Sequence, residues 1–296
     1  YTWIIEIQVQ EVLVGLYDYR FYLVNESECR GLLYKIRWPR GIRCPACGHP
    51  AVWKLGKKNG FKYKCRSCQN RFTETSGTIF EKTRTPISKW ICAIALFKIG
   101  ISANQLKDEI RVTYKAAWHM LSKIRKAIKR DPLTDQLSGH IEVDETYFGG
   151  RRKGKRGRGA AGKTPVIGLI QRNGSVRTIA IPNVKSATLQ ALVKEHVETG
   201  STVYTDGWQG YRGLDNSGFS HKLVNHDKAF VSRKGNHTNS IEGYWRLSKH
   251  KLYARYHKIS PGKLPDYLAE SEFKFNERYH PDFVKLVLSK LLFQYL

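Results

Sequence analysis

The segment IEVDETYFGG, residues 141–150, places three acids inside an otherwise apolar run. Because side chains alternate along a strand, Asp144 shares one face with Glu142 and Thr146. An acid near the C-terminal end of a strand is typical of the crevice in which α/β sheets bind ligands. The segment therefore predicts a strand that ends at a ligand site.

A second acid occupies the same kind of position further along the chain. VYTDGW (203–208) ends an apolar run with Asp206, directly before Gly207. If the strands that carry Asp144 and Asp206 are neighbours, their carboxylates repel each other unless a cation lies between them. Oxygen ligands suit Mg²⁺ or Mn²⁺ better than Zn²⁺. The pair therefore predicts a site for a hard divalent cation.

The third ligand of such a site is expected on a helix. The segment HTNSIEGYWRLSKHKL (237–252) carries a polar stripe at helical spacing: Asn239, Glu242, Arg246 and Lys249. Beside it runs an apolar stripe: Ile241, Trp245 and Leu252. A helix seated on the sheet by its apolar stripe presents Glu242 at the edge of the crevice. Glu242 taken alone is equally typical of a solvated helix residue.

The overall charge indicates the kind of partner. The chain has 296 residues, with 51 Lys and Arg against 25 Asp and Glu and a net charge of +26. The length favours two or three domains, and the charge makes nucleic acid the leading partner, with an acidic membrane surface as the alternative. No apolar run reaches the roughly 18 residues of a spanning helix, and no signal-peptide pattern opens the chain. We therefore expect a soluble, intracellular protein without a membrane partner.

The cysteines predict a second metal site of a different kind. Four of the six form two pairs with 17 residues between them, CPAC and CRSC: Cys44, Cys47, Cys65 and Cys68. Two such knuckles can converge on one Zn²⁺, and AVWKL (51–55) and FKYKC (61–65) read as the hairpin that carries them. Two disulfides of a secreted module are the alternative. Cys29 and Cys92 read as ordinary buried thiols.

From Pro86 the apolar residues follow helical spacing. ISKWICAIALFKIG (87–100) stops at Gly100, and Ser102 and Thr113 read as the N-caps of two further helices. Three helices with tight turns predict a helix-turn-helix unit whose last helix enters a major groove, with a plain three-helix connector as the alternative. The basic residues expected to contact DNA from the last helix are Lys115, Lys123, Arg125 and Lys126.

The remaining chain reads as an α/β domain with a mixed sheet. Strand-length apolar runs precede a helix-like stretch at 186–197 and the run that ends at Asp206, while HKLVNH (221–226) is a candidate fifth strand. Two helices, at about 238–252 and 263–279, close the domain. The predicted divisions are an N-terminal segment (1–40), a zinc ribbon (41–80), a helix-turn-helix domain (81–130), a linker (131–139) and the α/β domain (140–296).

Several motifs in this order resemble one family along most of the chain. They are CPACG (44–48), YKCRSCQNRFTETSGTIFEKTRTPISKW (63–90), GISANQLKDEIRVTYKAAWHML (100–121), IEVDETYFGGRRKGKRGRG (141–159), VYTDGWQGY (203–211) and HTNSIEGYWRLSK (237–249). From about Phe21 to Arg278 the chain resembles insertion-sequence DDE transposases of the ISXO type, with their eukaryotic Merlin relatives. The resemblance implies a multidomain α+β chain: a zinc ribbon, a three-helix helix-turn-helix unit, and an α/β ribonuclease H-like DDE catalytic domain.

The resemblance also implies an activity and its residues. Asp144, Asp206 and Glu242 would be catalytic ligands of Mg²⁺ or Mn²⁺. Their supporting residues would be Asn239 and Lys249, and AESEFKFNER (269–278) resembles the closing helix of the family, with Glu270 and Asn276 at matching positions. The protein would bind the terminal inverted repeats of its element, cleave DNA at the ends and join the 3′-hydroxyl to target DNA. We expect structural Zn²⁺, double-stranded DNA as partner, and a homodimer or larger assembly. The expected location is the bacterial cytoplasm, or the nucleus for a Merlin-type element.

The basic block that follows the first strand predicts a DNA contact. RRKGKRGRG (151–159) mixes glycines with six cations: Arg151, Arg152, Lys153, Lys155, Arg156 and Arg158. Such a segment is expected to grip the phosphate backbone beside the metal crevice, although a solvated loop has the same composition. Two other functions stay open: a domesticated or inactive zinc-ribbon DNA-binding protein, and a ribonuclease H-like nuclease without strand transfer.

Overall fold

The computed structural model describes residues 15, 17–56, 63–129, 136–149, 162–224 and 237–293. The chain forms two units, Tyr1–Ile128 with Tyr279–Leu296, and Lys129–Arg278. No helix of the described ranges is both long enough and apolar enough to cross a membrane.

The secondary structure elements are numbered in chain order. The helices are α1 (Arg20–Val24), α2 (Glu26–Arg37), α3 (Ile87–Ile99), α4 (Ala103–Glu109), α5 (Tyr114–Ala127), α6 (Ser186–His196), α7 (Asn239–Tyr256), α8 (Leu264–Asn276) and α9 (Phe283–Phe293). The strands are β1 (Val52–Lys54), β2 (Tyr63–Cys65), β3 (Arg71–Phe72), β4 (His140–Phe148), β5 (Thr164–Gln171), β6 (Val176–Ala180), β7 (Thr202–Asp206) and β8 (Ser220–Val224). Short 3₁₀ helices lie at Tyr17–Tyr19, Gln209–Tyr211, Asp215–Ser217 and Pro261–Lys263.

The first unit contains a small antiparallel sheet. β1 pairs with β2, as the hairpin prediction requires, and Val52 lies opposite Cys65. A third strand, β3, adds to the other edge of β2. Trp38 covers this sheet, with its ring centroid 5.7 Å from that of Tyr63 and 6.0 Å from that of Phe72. A few aromatic side chains therefore make most of the apolar core of the ribbon.

Helices α3, α4 and α5 begin where the sequence predicts, and α3 ends at the predicted residue. Ser102 forms a capping box with Gln105, and the side chain of Thr113 accepts a hydrogen bond from the backbone N–H of Ala116 at 3.2 Å. Gly100 closes α3 with a φ of 92°, a conformation that disfavours side chains with a Cβ. Local sequence signals are therefore sufficient to place these three helices.

The last helix belongs to the first unit. α9 packs against α2, α3 and α5, and the Tyr19 hydroxyl donates a hydrogen bond to Asp282 at 2.5 Å. The predicted catalytic domain, residues 140–296, therefore extends too far, because the second unit ends at Arg278. The reason is the apolar face of α9, which is buried among the helices of the first unit: Phe283, Val284, Val287, Leu288, Leu291 and Leu292.

The second unit contains the predicted mixed sheet. Its described strands follow the order β6-β5-β4-β7-β8. β4, β7 and β8 are parallel, whereas β5 and β6 run antiparallel to their neighbours. α6 supplies Leu189 and Val193 to the core on one face, while α7 and α8 supply Ile241, Trp245 and Leu268 to the core on the other. The candidate fifth strand is confirmed as β8.

The outer edge of β6 is covered by α8. The backbone N–H of Val176 donates to Asn276 Oδ1 at 2.8 Å, and Asn276 Nδ2 donates to the carbonyl of Val176 at 2.9 Å. Glu272 accepts from the backbone N–H of Thr178 at 2.8 Å. These side chains satisfy backbone groups that would otherwise offer a free strand edge. Asn276 thus has a structural contact here, and Glu270 accepts hydrogen bonds from the Tyr256 hydroxyl and the Lys274 ammonium.

Candidate active site

Two of the predicted acids lie at the same end of neighbouring strands. β4 and β7 pair in parallel, with Glu142 opposite Tyr204 and Val143 opposite Thr205. Asp144 and Asp206 each follow one residue after the second of these pairs. The backbone N–H of Trp208 donates to Asp206 Oδ1 at 3.0 Å, which fixes that carboxylate at the turn. The strands that carry Asp144 and Asp206 are therefore neighbours, as the predicted cation site requires.

The helix that carries the third acid, α7, packs on the face of the sheet that bears Asp144. Ile241 and Trp245 of α7 pack into the core with residues of β4, β5 and β6. Gly168 of β5 lies opposite Asp144 of β4. A Cβ at Gly168 would lie 2.4 Å from Trp245 Cζ2 and 2.9 Å from Ile241 Cδ1. The absence of a side chain at Gly168 therefore lets α7 pack closely on β5, and this packing brings Glu242 to the end of the sheet that carries Asp144.

The acids influence one another electrostatically. Burial raises the pKa of Asp144 to about 6, and the carboxylates of Asp206 and then Glu242 act in the same direction, whereas Lys249 opposes the shift. Among the described residues, the four ribbon cysteines converge closely enough to hold one metal ion, and the three acids do not form such a group. Like charges hold uncompensated carboxylates apart. Carboxylate oxygens are the donors that hard divalent cations prefer.

The predicted supporting residues occupy different positions along α7. Lys249 is half-buried and donates a hydrogen bond to Thr146 Oγ1, on the face of β4 that also carries Asp144. Burial lowers the pKa of Lys249, while Asp144 raises it. Asn239 is exposed in the first turn of α7, and Glu242 accepts from the Thr238 hydroxyl at 2.9 Å. Of the predicted polar stripe, Lys249 therefore lies on the side of β4 that carries Asp144, and the supporting roles of Asn239 and Lys249 stay predictions.

A tyrosine beside the acids was missed from the sequence. Tyr211 is fully buried, and burial, followed by the carboxylates of Glu145 and Asp144, raises its pKa well above the ordinary value. Its side chain packs in the core on the α6 side of the sheet. Tyr211 lies five residues after Asp206 within VYTDGWQGY, but nothing in that spacing predicts a return of the chain toward Glu145.

The basic residues predicted on α5 differ in exposure. Lys115 and Lys126 are exposed, whereas Lys123 is half-buried and donates to the carbonyl of Ile79 at 3.3 Å. Arg125 is only 4% exposed, so its prediction as a DNA contact is wrong for this conformation. It follows Leu121 by four residues and therefore shares the buried face of the helix. The six cations of the block at 151–159 lie outside the described residues.

The four ribbon cysteines converge as the zinc prediction requires. Cys44 Sγ lies 3.6 Å from Cys68 Sγ, and Cys47 Sγ lies 3.6 Å from Cys65 Sγ. A tetrahedron with Zn–S bonds of about 2.3 Å has S···S edges of about 3.8 Å. All four are free thiols within 4.8 Å of one another, so the donor set fits one structural Zn²⁺. Cys29 is buried and Cys92 is half-buried, apart from this set.

Comparison with known proteins identifies the family. A family model described as an ISXO2-like transposase domain matches residues 136–276, and one described as a transposase zinc-ribbon domain matches residues 24–71. An "uncharacterized protein in transposable element ISH50" of Halobacterium salinarum is 30% identical over 266 residues, which cover 83% of this chain and 89% of that protein. The chain belongs to the ISXO2-like transposase family. The resemblance inferred from the motifs is thereby confirmed.

A further relative and a solved structure are also similar to parts of this chain. An "uncharacterized transposase-like protein" of Haemophilus influenzae is 39% identical over 101 residues, or 34% of this chain and 80% of that protein. A chain from the simian T-cell lymphotropic virus intasome in complex with the PP2A regulatory subunit B56 gamma aligns at 11% identity, over 60% of this chain and 66%, just under two thirds, of that chain. Its TM-score of 0.30 is too low to support a structural argument.

The repulsion among the acids leads to a testable expectation. Asp144→Asn should raise the melting temperature of the zinc-loaded transposase without added Mg²⁺ or Mn²⁺ at pH 7, because the amide removes one of the mutually repelling charges. The rise should be about 2–4 °C for each kcal/mol of repulsion removed in a domain of this size. Calorimetry measures it, with Asp215→Asn, an exposed acid of the same unit, as the control. A melting temperature equal to or below that of the wild type would contradict the expectation.

Proposed function

We propose that this transposase cleaves DNA at the ends of its element and joins the freed 3′-hydroxyl to target DNA, using Asp144, Asp206 and Glu242 as ligands of Mg²⁺ or Mn²⁺. The observation that carries the proposal is the parallel pairing of β4 and β7, which places Asp144 and Asp206 at the same end of neighbouring strands, with α7 packed on the sheet beside them. The mixed sheet with helices on both faces supports the ribonuclease H-like assignment of this unit.

The protein groups of the site have distinct tasks in this reaction. When bound, divalent ions activate a water or a DNA 3′-hydroxyl and stabilise the leaving oxygen in an in-line displacement. Asp144 and Asp206, fixed on strands, and Glu242, fixed on α7, act as ligands rather than as proton shuttles. Lys249 places a cation beside Asp144, where it can contact the phosphodiester, and Asn239 offers an amide in the same stripe. No covalent protein intermediate is required.

DNA recognition is assigned to the first unit. We propose that the zinc ribbon and α3–α5, acting as a helix-turn-helix, bind the terminal inverted repeats, with Lys115 and Lys126 on the exposed side of α5. The net charge of +26 supports double-stranded DNA as the partner. Because both ends of an element must be handled together, we expect a homodimer or larger assembly on DNA inside the cell.

A cleavage and joining assay tests the proposed function. The full chain is incubated with DNA that carries the ends of its own element, in Mg²⁺, in Mn²⁺, or without either ion, together with a target plasmid. We expect end cleavage and joined products only with a divalent ion. Cleavage without joined products would favour a ribonuclease H-like nuclease, and specific binding without cleavage would favour a domesticated DNA-binding protein.

The basic block predicts a change in salt dependence. Replacing Arg151, Arg152 and Lys153 with Ala should lower the slope of log affinity against log salt concentration by about 0.9 for each DNA phosphate that the block no longer neutralises. Filter binding or fluorescence anisotropy across a salt series measures the slope. A matched triple variant of exposed lysines in the same unit, Lys185, Lys194 and Lys222, serves as the control. An unchanged slope in the first variant would place the block away from DNA.

A further inference from the structure

A carboxylate outside the proposed ligand set has several hydrogen-bonding partners near the site. Glu142 on β4 is fully buried. It accepts hydrogen bonds from Arg172 Nε at 2.9 Å, from the backbone N–H of Ser240 at 2.8 Å and from that of Ile241 at 3.1 Å. The Ser240 hydroxyl and His237 Nδ1 each lie 3.1 Å from the same carboxylate. A buried charge with this many donors holds its neighbours in one arrangement.

Two of these donors belong to the first turn of α7. The first N–H groups of a helix lack partners within the helix and are usually capped by a nearby side chain. Thr238, at the N-cap position of α7, makes no capping hydrogen bond through its side chain to the backbone. Glu142 takes that role from a neighbouring strand, and its negative charge also suits the positive end of the helix dipole. The start of α7 is therefore attached to β4.

Arg172 extends the same network to β7. Its Nη2 donates to the carbonyl of His237 at 2.8 Å, and its guanidinium carbon lies 4.0 Å from the ring centroid of Tyr204. The Tyr204 hydroxyl in turn lies 2.9 Å from His140 Nδ1 on β4. Tyr204 is also the residue that pairs with Glu142 in the parallel ladder. One layer of contacts thus joins β4, β7 and the start of α7.

This layer is in register with the acids. Glu142, Tyr204 and Ser240 each precede an acid by two residues on their own element: Asp144, Asp206 and Glu242. Along β4 and β7 a two-residue step returns to the same face of the sheet. Both aspartates are therefore the next residues on that face, toward the C-terminal ends of their strands. On α7 the step places Glu242 in the first turn, whose backbone Glu142 holds.

From this register we propose that Glu142 is a positioning residue, which ties the first turn of α7 to β4 so that Glu242 faces Asp144 and Asp206. The inference rests on the proposed function, because it assigns Glu142 a task toward the metal ligands. Residues that orient metal ligands typically contribute about 10–100-fold to metal affinity. A purely structural role would instead lower stability and leave the metal affinity of the folded protein unchanged.

Mn²⁺ binding to the zinc-loaded full chain, without DNA, separates the two roles. Titration followed by electron paramagnetic resonance compares the wild type with Glu142→Gln and with Glu198→Gln, an exposed glutamate of the same unit. We expect Glu142→Gln to bind Mn²⁺ about 10–100-fold more weakly at a temperature where it is folded, and Glu198→Gln to match the wild type. End cleavage by Glu142→Gln should recover in part at high Mn²⁺ concentration.

The outcomes distinguish this inference from the function on which it rests. If the wild type binds Mn²⁺ in a manner that Asp144→Asn abolishes, but Glu142→Gln binds equally well, the positioning role is overturned and the proposed function stands. If the wild type shows no such binding, the metal site itself is overturned. Should Glu142→Gln fail to fold, Ser240→Ala, which removes only the hydroxyl contact, decides: weaker Mn²⁺ binding supports the inference, and unchanged binding overturns it.

Discussion

Asp206→Asn is expected to reduce DNA cleavage by on the order of 10³-fold or more, since metal ions supply several kcal/mol of transition-state stabilisation and each 1.4 kcal/mol is about tenfold in rate. Asp206 ends β7 beside Asp144, and its Oδ1 is fixed by the N–H of Trp208. An amide keeps the shape of that side chain but removes the charge that binds a hard cation. Single-turnover cleavage at saturating protein measures the loss.

Binding of the element ends should survive the same substitution. The recognition surfaces are assigned to the other unit, and removal of one negative charge near DNA does not weaken phosphate contacts. Asp215→Asn is the matched control, because Asp215 is exposed and its amide oxygen can still accept from the backbone N–H of His221. Asp144→Asn and Glu242→Gln should behave like Asp206→Asn. Efficient cutting by the Asp206→Asn protein, with the control unchanged, would refute the assignment of the site.

The parts of the fold that depend on local signals could be predicted from the sequence. Ser102, Thr113 and Gly100 define helix ends through contacts within a few residues, and the structure places them as expected. The ribbon hairpin is equally local, because the spacing of the cysteine pairs constrains it. The order of strands along the chain also indicated a mixed sheet, although adjacency of the strands carrying Asp144 and Asp206 was an assumption that only the fold could satisfy.

The parts that depend on distant partners could not be predicted. Periodicity tells which face of a helix is apolar but not what covers it, so α9 was assigned to the wrong unit and Arg125 to the wrong face. Two of the partners of Glu142, the backbone N–H groups of Ser240 and Ile241, lie 98 and 99 residues further along the chain. From the sequence, Glu142 was only a neighbour of Asp144 on one face of a strand. Its contacts became evident once the first turn of α7 was placed.

Zinc removal is expected to have the second large effect, on the first unit. In the described part of the ribbon, the strands have two or three residues each. The buried apolar cluster there has five residues, of which Cys44 and Cys65 are themselves predicted zinc ligands. So small a core cannot offset the conformational entropy of the ribbon. Structural Zn²⁺ contributes about 10–16 kcal/mol of apparent binding free energy in zinc-finger peptides, so Cys65→Ser should unfold the ribbon.

Unfolding of the ribbon should reduce binding of the element ends to the non-specific level, a Kd of about 10⁻⁴–10⁻⁶ M at physiological salt. Anisotropy with end DNA measures the affinity, while the ratio of zinc to protein and the protease sensitivity of residues 41–80 report the state of the ribbon. Cys92→Ser is the matched control, since Cys92 is half-buried and apart from the ribbon set. If Cys65→Ser loses zinc but retains specific binding, recognition must lie in α3–α5 alone. If Cys65→Ser loses specific binding while Asp206→Asn retains it, recognition and chemistry are separable. This is the expected result if the first unit recognises DNA and the second unit carries out the chemistry.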